Sequence, residues 1–390
     1  MKYIRILLVF TMVLCFCSCM QTKPLPNQQE VLEVEQKLSE HAVSPSRSAE
    51  FSLEFTGDAG EYILHFTELA SYKNYLFGWI PLPVSEKRCA LSVNSEAMWA
   101  EKLPRVFYLP DRVGEHTLIG IGYSSLREEP GKERVERLYI PDTVEWIGRD
   151  AISLGALKYL YIGRKVNLIY DDDFRGGTFN YVKRLEIVEV SPDNLRYTAP
   201  DGKCLFDTRT NTLLLGTVYA LIPPDTLRIG SNAFAFMELQ KQELILPQGV
   251  NSIGHSAFLN VKGVTALILP DSVTELGANC FTGCSAEQIQ GGGYTVMPSL
   301  SFDNVQVTEF IPPSSLVEIE MGAFDSPTLK TMYIPRTVTI IGEYGIELSP
   351  DAVVYCEAAA KPTGWDENWL TPLHDGEPMP TIIWGAEMPE

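Results

Sequence analysis

From Leu267 to Phe281 the chain reads LILPDSVTELGANCF, and the same spacing of apolar residues returns along most of its length. Counted from the proline that ends the first apolar run, the unit places apolar residues three and one before it and three and six after it. Gly follows at seven, a small residue at ten, and an aromatic or Ile at eleven. From Pro270 these are Leu267, Leu269, Val273, Leu276, Gly277, Cys280 and Phe281; from Pro247 they are Leu244, Leu246, Val250, Ile253, Gly254, Ala257 and Phe258. Pro335 gives Met332, Ile334, Val338, Ile341, Gly342, Gly345 and Ile346, and Pro141 gives Leu138, Ile140, Val144, Ile147, Gly148, Ala151 and Ile152. Weaker copies start at Gly163 (Leu160, Ile162, Val166, Ile169, Phe174), Pro223 (Ile222, Ile229, Gly230, Ala233, Phe234) and Pro313 (Phe310, Leu316, Ile319, Ala323, Phe324). Neighbouring units from 141 to 163, 223 to 247, 247 to 270 and 313 to 335 are 22, 24, 23 and 22 residues apart.

A period in the low twenties with leucines at L-x-x-L-x-L spacing is a leucine-rich repeat. The alternation in L-x-I-P predicts a short strand with one face buried, closed by a proline that cannot donate to the next ladder bond. Val-x-x-Ile turns more apolar surface inward, the Gly is expected to permit a backbone bend, and Ala-Phe fills the next layer. One unit cannot bury this face alone. Stacked units can, at about 1.5–3 kcal/mol for each large apolar side chain buried.

The pattern L-x-I-P-x-x-V-x-x-I-G-x-x-A-F resembles the Treponema-type repeat of BspA-like leucine-rich repeat surface proteins of bacteria, over about Val135 to Gly385. The ending VVYCEAAAKPTGWDENW…IIWG, with Trp365, Trp369 and Trp384, resembles the segment that closes such solenoids. Tyr170 and Glu320 depart from the pattern at the glycine and Asp173 at the small residue. The resemblance implies a β-rich solenoid with short strands and turns, hairpin-like insertions and a C-terminal cap. It also implies a cell-surface binding role without catalysis, with host proteins or neighbouring bacteria as partners.

Lys2 and Arg5 precede the apolar run Ile6 to Phe16, which is too short to span a bilayer and has the anatomy of a signal peptide. Ser18-Cys19 resembles a lipobox, although Cys17 stands where a small aliphatic residue is preferred. Cys19 is therefore the expected lipid-bearing first residue; the alternative is an ordinary secretory signal. Met20 is not the aspartate that would retain a lipoprotein in the inner membrane, which favours the outer membrane or cell surface. The expected organisation is a signal at 1–18, a polar tether at 19–50, a small β-rich N-terminal region at 51–134, the solenoid at 135–352 and a cap at 353–390. In the N-terminal region FSLEF and YILHF alternate like strands, and Leu109, Pro110 and Val113 suggest the start of a degenerate repeat.

The solenoid has one clear interruption. Leu185 to Ile187 fits a strand in register, but SPDNLRYTAPDGKCLFDTRTNTLLLGT follows where Val-x-x-Ile-Gly belongs, and Asp201-Gly202 predicts a hairpin turn. Tyr294 to Pro313 reads as a shorter insertion of the same kind.

With 45% hydrophobic and 21% charged residues, core material is ample. The 50 acidic against 31 basic residues argue against nucleic acid or anionic lipid as a partner, so the membrane is met through the lipid anchor alone. Gly254-His255-Ser256-Ala257-Phe258 opens like a nucleophile elbow, but Phe258 stands where Gly is required. Asp171-Asp172-Asp173 lacks the spacing of a calcium loop and reads as a solvated acidic turn. Gly291-Gly292-Gly293 has no Lys-Ser/Thr after it, the histidines form no H-x-x-x-H pair, and Cys89, Cys204, Cys280, Cys284 and Cys356 outline no disulfide framework. No catalytic residue, metal or cofactor is expected. A hydrolase within 51–134 has only that region's lack of assignment in its favour.

The candidate binding face is the outward position between the two inward residues of each first strand. It comprises Tyr139, Tyr161, Glu186, Leu221, Ile245, Ile268, Phe310 and Tyr333. With strands about 4.8 Å apart, these are expected to form one ladder, suited either to stiffening the sheet or to binding a protein or other macromolecule. The expected function is an envelope-anchored binding protein for protein interaction or adhesion. The alternative is a periplasm-facing scaffold for envelope proteins or glycans.

Overall fold

The computed structural model describes residues 50–58, 60–69, 72–74, 79–81, 87–92, 102–172, 176–374 and 376–387. The expected signal, Cys19 and the tether up to residue 49 lie outside these, as do Asp173 and Phe174. Tyr72–Asn74 and Trp79–Pro81 fall in a separate unit, in which they pair antiparallel. The other described residues belong to the second unit.

Among the described residues of that second unit the regular elements are strands, apart from one 3-10 turn at Pro200–Gly202. Each coil contributes up to three. In one coil they are Arg137–Ile140, Trp146–Ile147 and Ile152–Ser153. Each pairs in parallel with its counterpart in a neighbouring coil, Leu138 opposite Leu160 and Ile147 opposite Ile169. The leucines, valines and isoleucines of the repeat all point inward and form one continuous buried column.

The motif's spacing has a backbone cause at each step. The proline carbonyl accepts the N–H three residues on, closing a turn at Val144 (3.2 Å), Val250 (3.0 Å), Val273 (2.9 Å) and Val338 (3.1 Å). The valine is thereby swung inward. The phenylalanine slot stacks from coil to coil: Phe234, Phe258, Phe281 and Phe302 stand 5.1, 5.5 and 4.8 Å apart, centroid to centroid.

The glycine serves a different purpose from the one expected. A Cβ on Gly277 would lie 2.6 Å from the backbone of Gly254 and His255, and one on Gly254 would lie 2.7 Å from the nitrogen of Ser231. Glycine stands there because successive coils touch backbone to backbone. The left-handed bend comes two residues later and is taken by Asp150, Asn232, Ser256, Asn279 and Tyr344, with φ of 49°, 62°, 54°, 57° and 52°. Asn and Asp tolerate that region better than most residues, which suits three of these positions.

The interruption at Ser191 forms the predicted hairpin. Tyr197–Thr198 pairs antiparallel with Cys204–Asp207 around Asp201 and Gly202, both at positive φ. Cys204–Asp207 then pairs with Thr212–Gly216, which runs parallel to Arg228–Ile229 and so starts the next stack of second strands. The stretch from Tyr294 to Pro313, by contrast, is no hairpin. Val296–Met297 is an ordinary second strand parallel to Glu318–Ile319, Phe302 takes the aromatic slot, and Gln306–Ile311 is the next first strand.

At the N-terminal side, Glu50–Gly57, Gly60–Leu69 and Arg88–Ser92 extend the stack of second strands antiparallel, then join His116–Ile121 in parallel. Val106–Tyr108 pairs with Arg137–Ile140. The coil stack therefore takes in residues of the 51–134 region. At the other end Trp365 and Trp369 are buried and, with Trp384, form a cluster with centroids 4.6–6.3 Å apart; the Trp365 indole donates to the Val338 carbonyl at 3.1 Å.

Candidate binding surface

Side chains that leave the first strands outward lie on two separate sheets rather than one. The four-stranded sheet consists of Val106–Tyr108, Arg137–Ile140, Tyr159–Ile162 and Ile187–Val190; the seven-stranded sheet starts at Glu238–Ile245 and ends at Thr381–Trp384.

On the four-stranded sheet the outward row is Tyr108, Tyr139, Tyr161 and Glu189, in register. Tyr108 and Tyr139 stack at 4.3 Å with planes 13° apart, and Tyr161 follows at 6.2 Å. Beside it runs a second outward row of Val106, Arg137, Tyr159 and Ile187. The Arg137 guanidinium lies 4.2 Å over the Tyr159 ring and its Nε donates to the Tyr139 hydroxyl at 3.1 Å. Tyr159 in turn donates to the Glu189 carboxylate at 2.5 Å, and burial together with that contact pushes its phenol up. Tyr108 closes the stack with 63% of its surface exposed, and Val106 and Ile187 are exposed at its flanks. Around these rings opposite charges alternate, with Arg105 and Lys158 both on Glu136 and Arg164 on Asp142.

The seven-stranded sheet carries Ile245, Ile268 and Gln290 in register, then Tyr333, Tyr355 and Ile383. Tyr333 and Tyr355 stack at 5.2 Å. Phe310 pairs with Met332, one residue out of that row, and Ile311 takes the outward place.

Of the eight residues expected to share a ladder, Tyr139 and Tyr161 thus belong to one sheet and Ile245, Ile268 and Tyr333 to the other. Three are displaced. Glu186 precedes its strand, because that strand is Ile187–Val190 with Val188 inward, and Glu189 stands opposite Tyr161. Leu221 is exposed but lies in no strand. Phe310 is 1% exposed and faces the core. Tyr108, Arg137, Tyr159 and Glu189 complete the cluster and were not in the expected row. The signal for Tyr108 was present: Phe107, Leu109, Pro110 and Val113 keep the repeat spacing.

The chemical candidates resolve into structural roles. Asp171 is not solvated: its carboxylate pairs with Arg228 and accepts the Ser231 N–H at 2.8 Å, holding one coil to the next across the insertion. Ser256 is buried at the left-handed bend and its N–H is bonded to the Ala278 carbonyl at 3.0 Å. Cys280 and Cys284 are buried free thiols, pushed up by burial. Among the described residues no group of three or more His, Cys, Asp or Glu is placed to hold a metal ion.

Residues 227–350 match the family model of the BspA type leucine rich repeat region, in six copies. No curated protein sequence matches the chain. Among solved structures, a leucine-rich repeat protein from Eubacterium ventriosum is similar at 14% identity, over 76% of this chain and 94% of that one, with a TM-score of 0.42. A leucine rich cell surface protein from Faecalibacterium prausnitzii is similar at 13% identity, over 89% and 97%, with a TM-score of 0.31. A leucine-rich repeat protein from Bacteroides ovatus is similar at 14% identity, over 73% and 94%, with a TM-score of 0.26.

Proposed function

The chain carries leucine-rich repeats of the BspA type, and from them we propose that it is an envelope-anchored binding protein for a protein partner. The observation that carries this reading is the row of Tyr108, Tyr139 and Tyr161 on the outward side of one sheet, its first two rings stacked and the third tilted beside them. Tyrosine rings held upright present apolar edges and hydroxyls with little rotamer entropy left to lose, which is the composition of interface hot spots. The alternating charges around them keep a partner from meeting the full repulsion of a chain with formal charge −19. The anchor is Cys19, by its place after Ser18 at the end of an export signal.

Two measurements test this. Protease treatment of intact cells, with lysed cells as control and an antibody to the C-terminal part as readout, is expected to remove the solenoid from intact cells. Protection until lysis would replace surface adhesion with a periplasm-facing scaffold. Mass spectrometry of the mature N-terminus is expected to find diacylglyceryl mass on Cys19, and a lipid-free terminus would remove the anchor.

A further inference from the structure

We propose that Asp303, Asp325 and Glu347, stacked on three successive coils, form a proton-dependent latch that holds the C-terminal coils together most firmly in mild acid. The three occupy equivalent places. Phe302 bridges Phe324, which brings Asp303 beside Asp325, and Asp325 pairs in register with Glu347. Consecutive strands of such a stack are about 4.8 Å apart.

Elsewhere the repeat spacing puts opposite charges on top of one another: Glu136 meets Lys158, Asp142 meets Arg164, Lys330 meets Asp351 and Arg336 meets Glu357. Only here, among the described in-register neighbours named above, do like charges stack, and they do so in a half-buried strip. Oδ1 of Asp325 is buried without a hydrogen-bond partner. Like carboxylates on adjacent strands disfavour each other's charged form, so one of them holds its proton to higher pH than an isolated carboxyl would.

The titratable groups that face Asp325 are Asp303, Glu347 and His374. Burial first, then Asp303 and Glu347, push its carboxyl up to about 6, opposed in part by the Asn304 N–H and His374. Burial also raises Asp303. A folded-state value above the unfolded one means that the folded chain binds the extra proton. The stabilisation is therefore complete below the unfolded carboxyl range and is lost as pH rises through about 6. Raising the carboxyl from its usual range to about 6 bounds the effect at about a hundredfold in the folding equilibrium, and partial solvent exposure reduces it to about tenfold.

The test is thermal unfolding of the exported chain, followed by circular dichroism between about pH 4.5 and about pH 8. The wild type is expected to lose melting temperature as pH rises through about 6. Asp325→Asn should flatten that fall, and Asp303→Asn should move it to lower pH. Glu309→Gln, which removes an exposed carboxylate, controls for overall charge and should leave the fall unchanged. Should Asp325→Asn fail to fold, Asp303→Asn carries the test alone. A wild-type melting temperature that does not fall, or Asp303→Asn tracking the wild type at every pH, would overturn the latch.

Discussion

Tyr108 and Tyr139 stack 4.3 Å apart and nearly parallel, although 31 positions separate them in the sequence. The contact ties a strand of the N-terminal region to the first well-formed repeat. A double-mutant cycle with Tyr108→Ala and Tyr139→Ala should give a coupling of about 0.5–1.5 kcal/mol in chemical denaturation. Additive effects would mean that the rings do not support each other. The same double variant, once a partner is in hand, should weaken binding by about thirtyfold while the chain stays folded.

Phe258 stands between Phe234 and Phe281 at 5.1 and 5.5 Å and is fully buried. Phe258→Ala should cost about 3–5 kcal/mol, because neither neighbouring coil can close the gap without breaking its own strand pairing. Urea unfolding measures it, and a loss below about 1.5 kcal/mol would deny the stack its role.

Gly277 and Asn279 separate two kinds of constraint within one turn. Gly277→Ala drives a Cβ to 2.6 Å from the Gly254 backbone and should cost more than about 2 kcal/mol. Asn279→Gly relieves a left-handed residue at φ 57° and should stay within about 1 kcal/mol of the wild type. Equal losses at the two sites would contradict the assignment of close approach to one and backbone bend to the other.

Cys89, Cys204, Cys284 and Cys356 are buried, and their thiols are pushed up to about 12 by desolvation; Cys280 is raised further still. Thiolate is the reactive form. All five should therefore resist a thiol reagent at neutral pH in the native chain and react on unfolding, and rapid labelling of any of them in the folded state would contradict the packing described.

Arg228 and Asp171 pair with only 19% and 12% of their side chains exposed. Arg228→Met would leave a carboxylate without its main counter-charge and should cost about 3–5 kcal/mol, whereas Lys330→Met at the exposed Asp351 pair should leave stability close to wild type.

The repeat made the inward residues legible because each coil imposes the same steric demand, and Leu267, Val273 and Phe281 sit where the spacing put them. The outward row was harder to read. Leu185 and Val188 are both apolar and three residues apart, so the strand could slip by three, and a slip of that size exchanges Glu186 for Glu189. Phe310 and Ile311 posed the same ambiguity, settled by the pairing of Phe310 with Met332. Tyr108 was hidden for another reason: after Val113 five extra residues intervene before Ile121-Gly122 restores the pattern. The glycine rule was visible, but its cause was not, since a close approach between coils leaves no trace in one unit's own sequence.

A stack of this kind passes strain only from each coil to the next, so a break in the strand pairing would also break the melting transition into two. The second strands do break, between Leu168–Ile169 and Arg228–Ile229. Across that gap the Tyr197 hydroxyl accepts the Ile169 N–H at 2.8 Å, while Asp171 reaches forward to Arg228 and Ser231. Residues 191–216 therefore act as a coupling between two blocks of coils, and the cooperativity of the coil stack is expected to depend on a segment that is not itself a repeat.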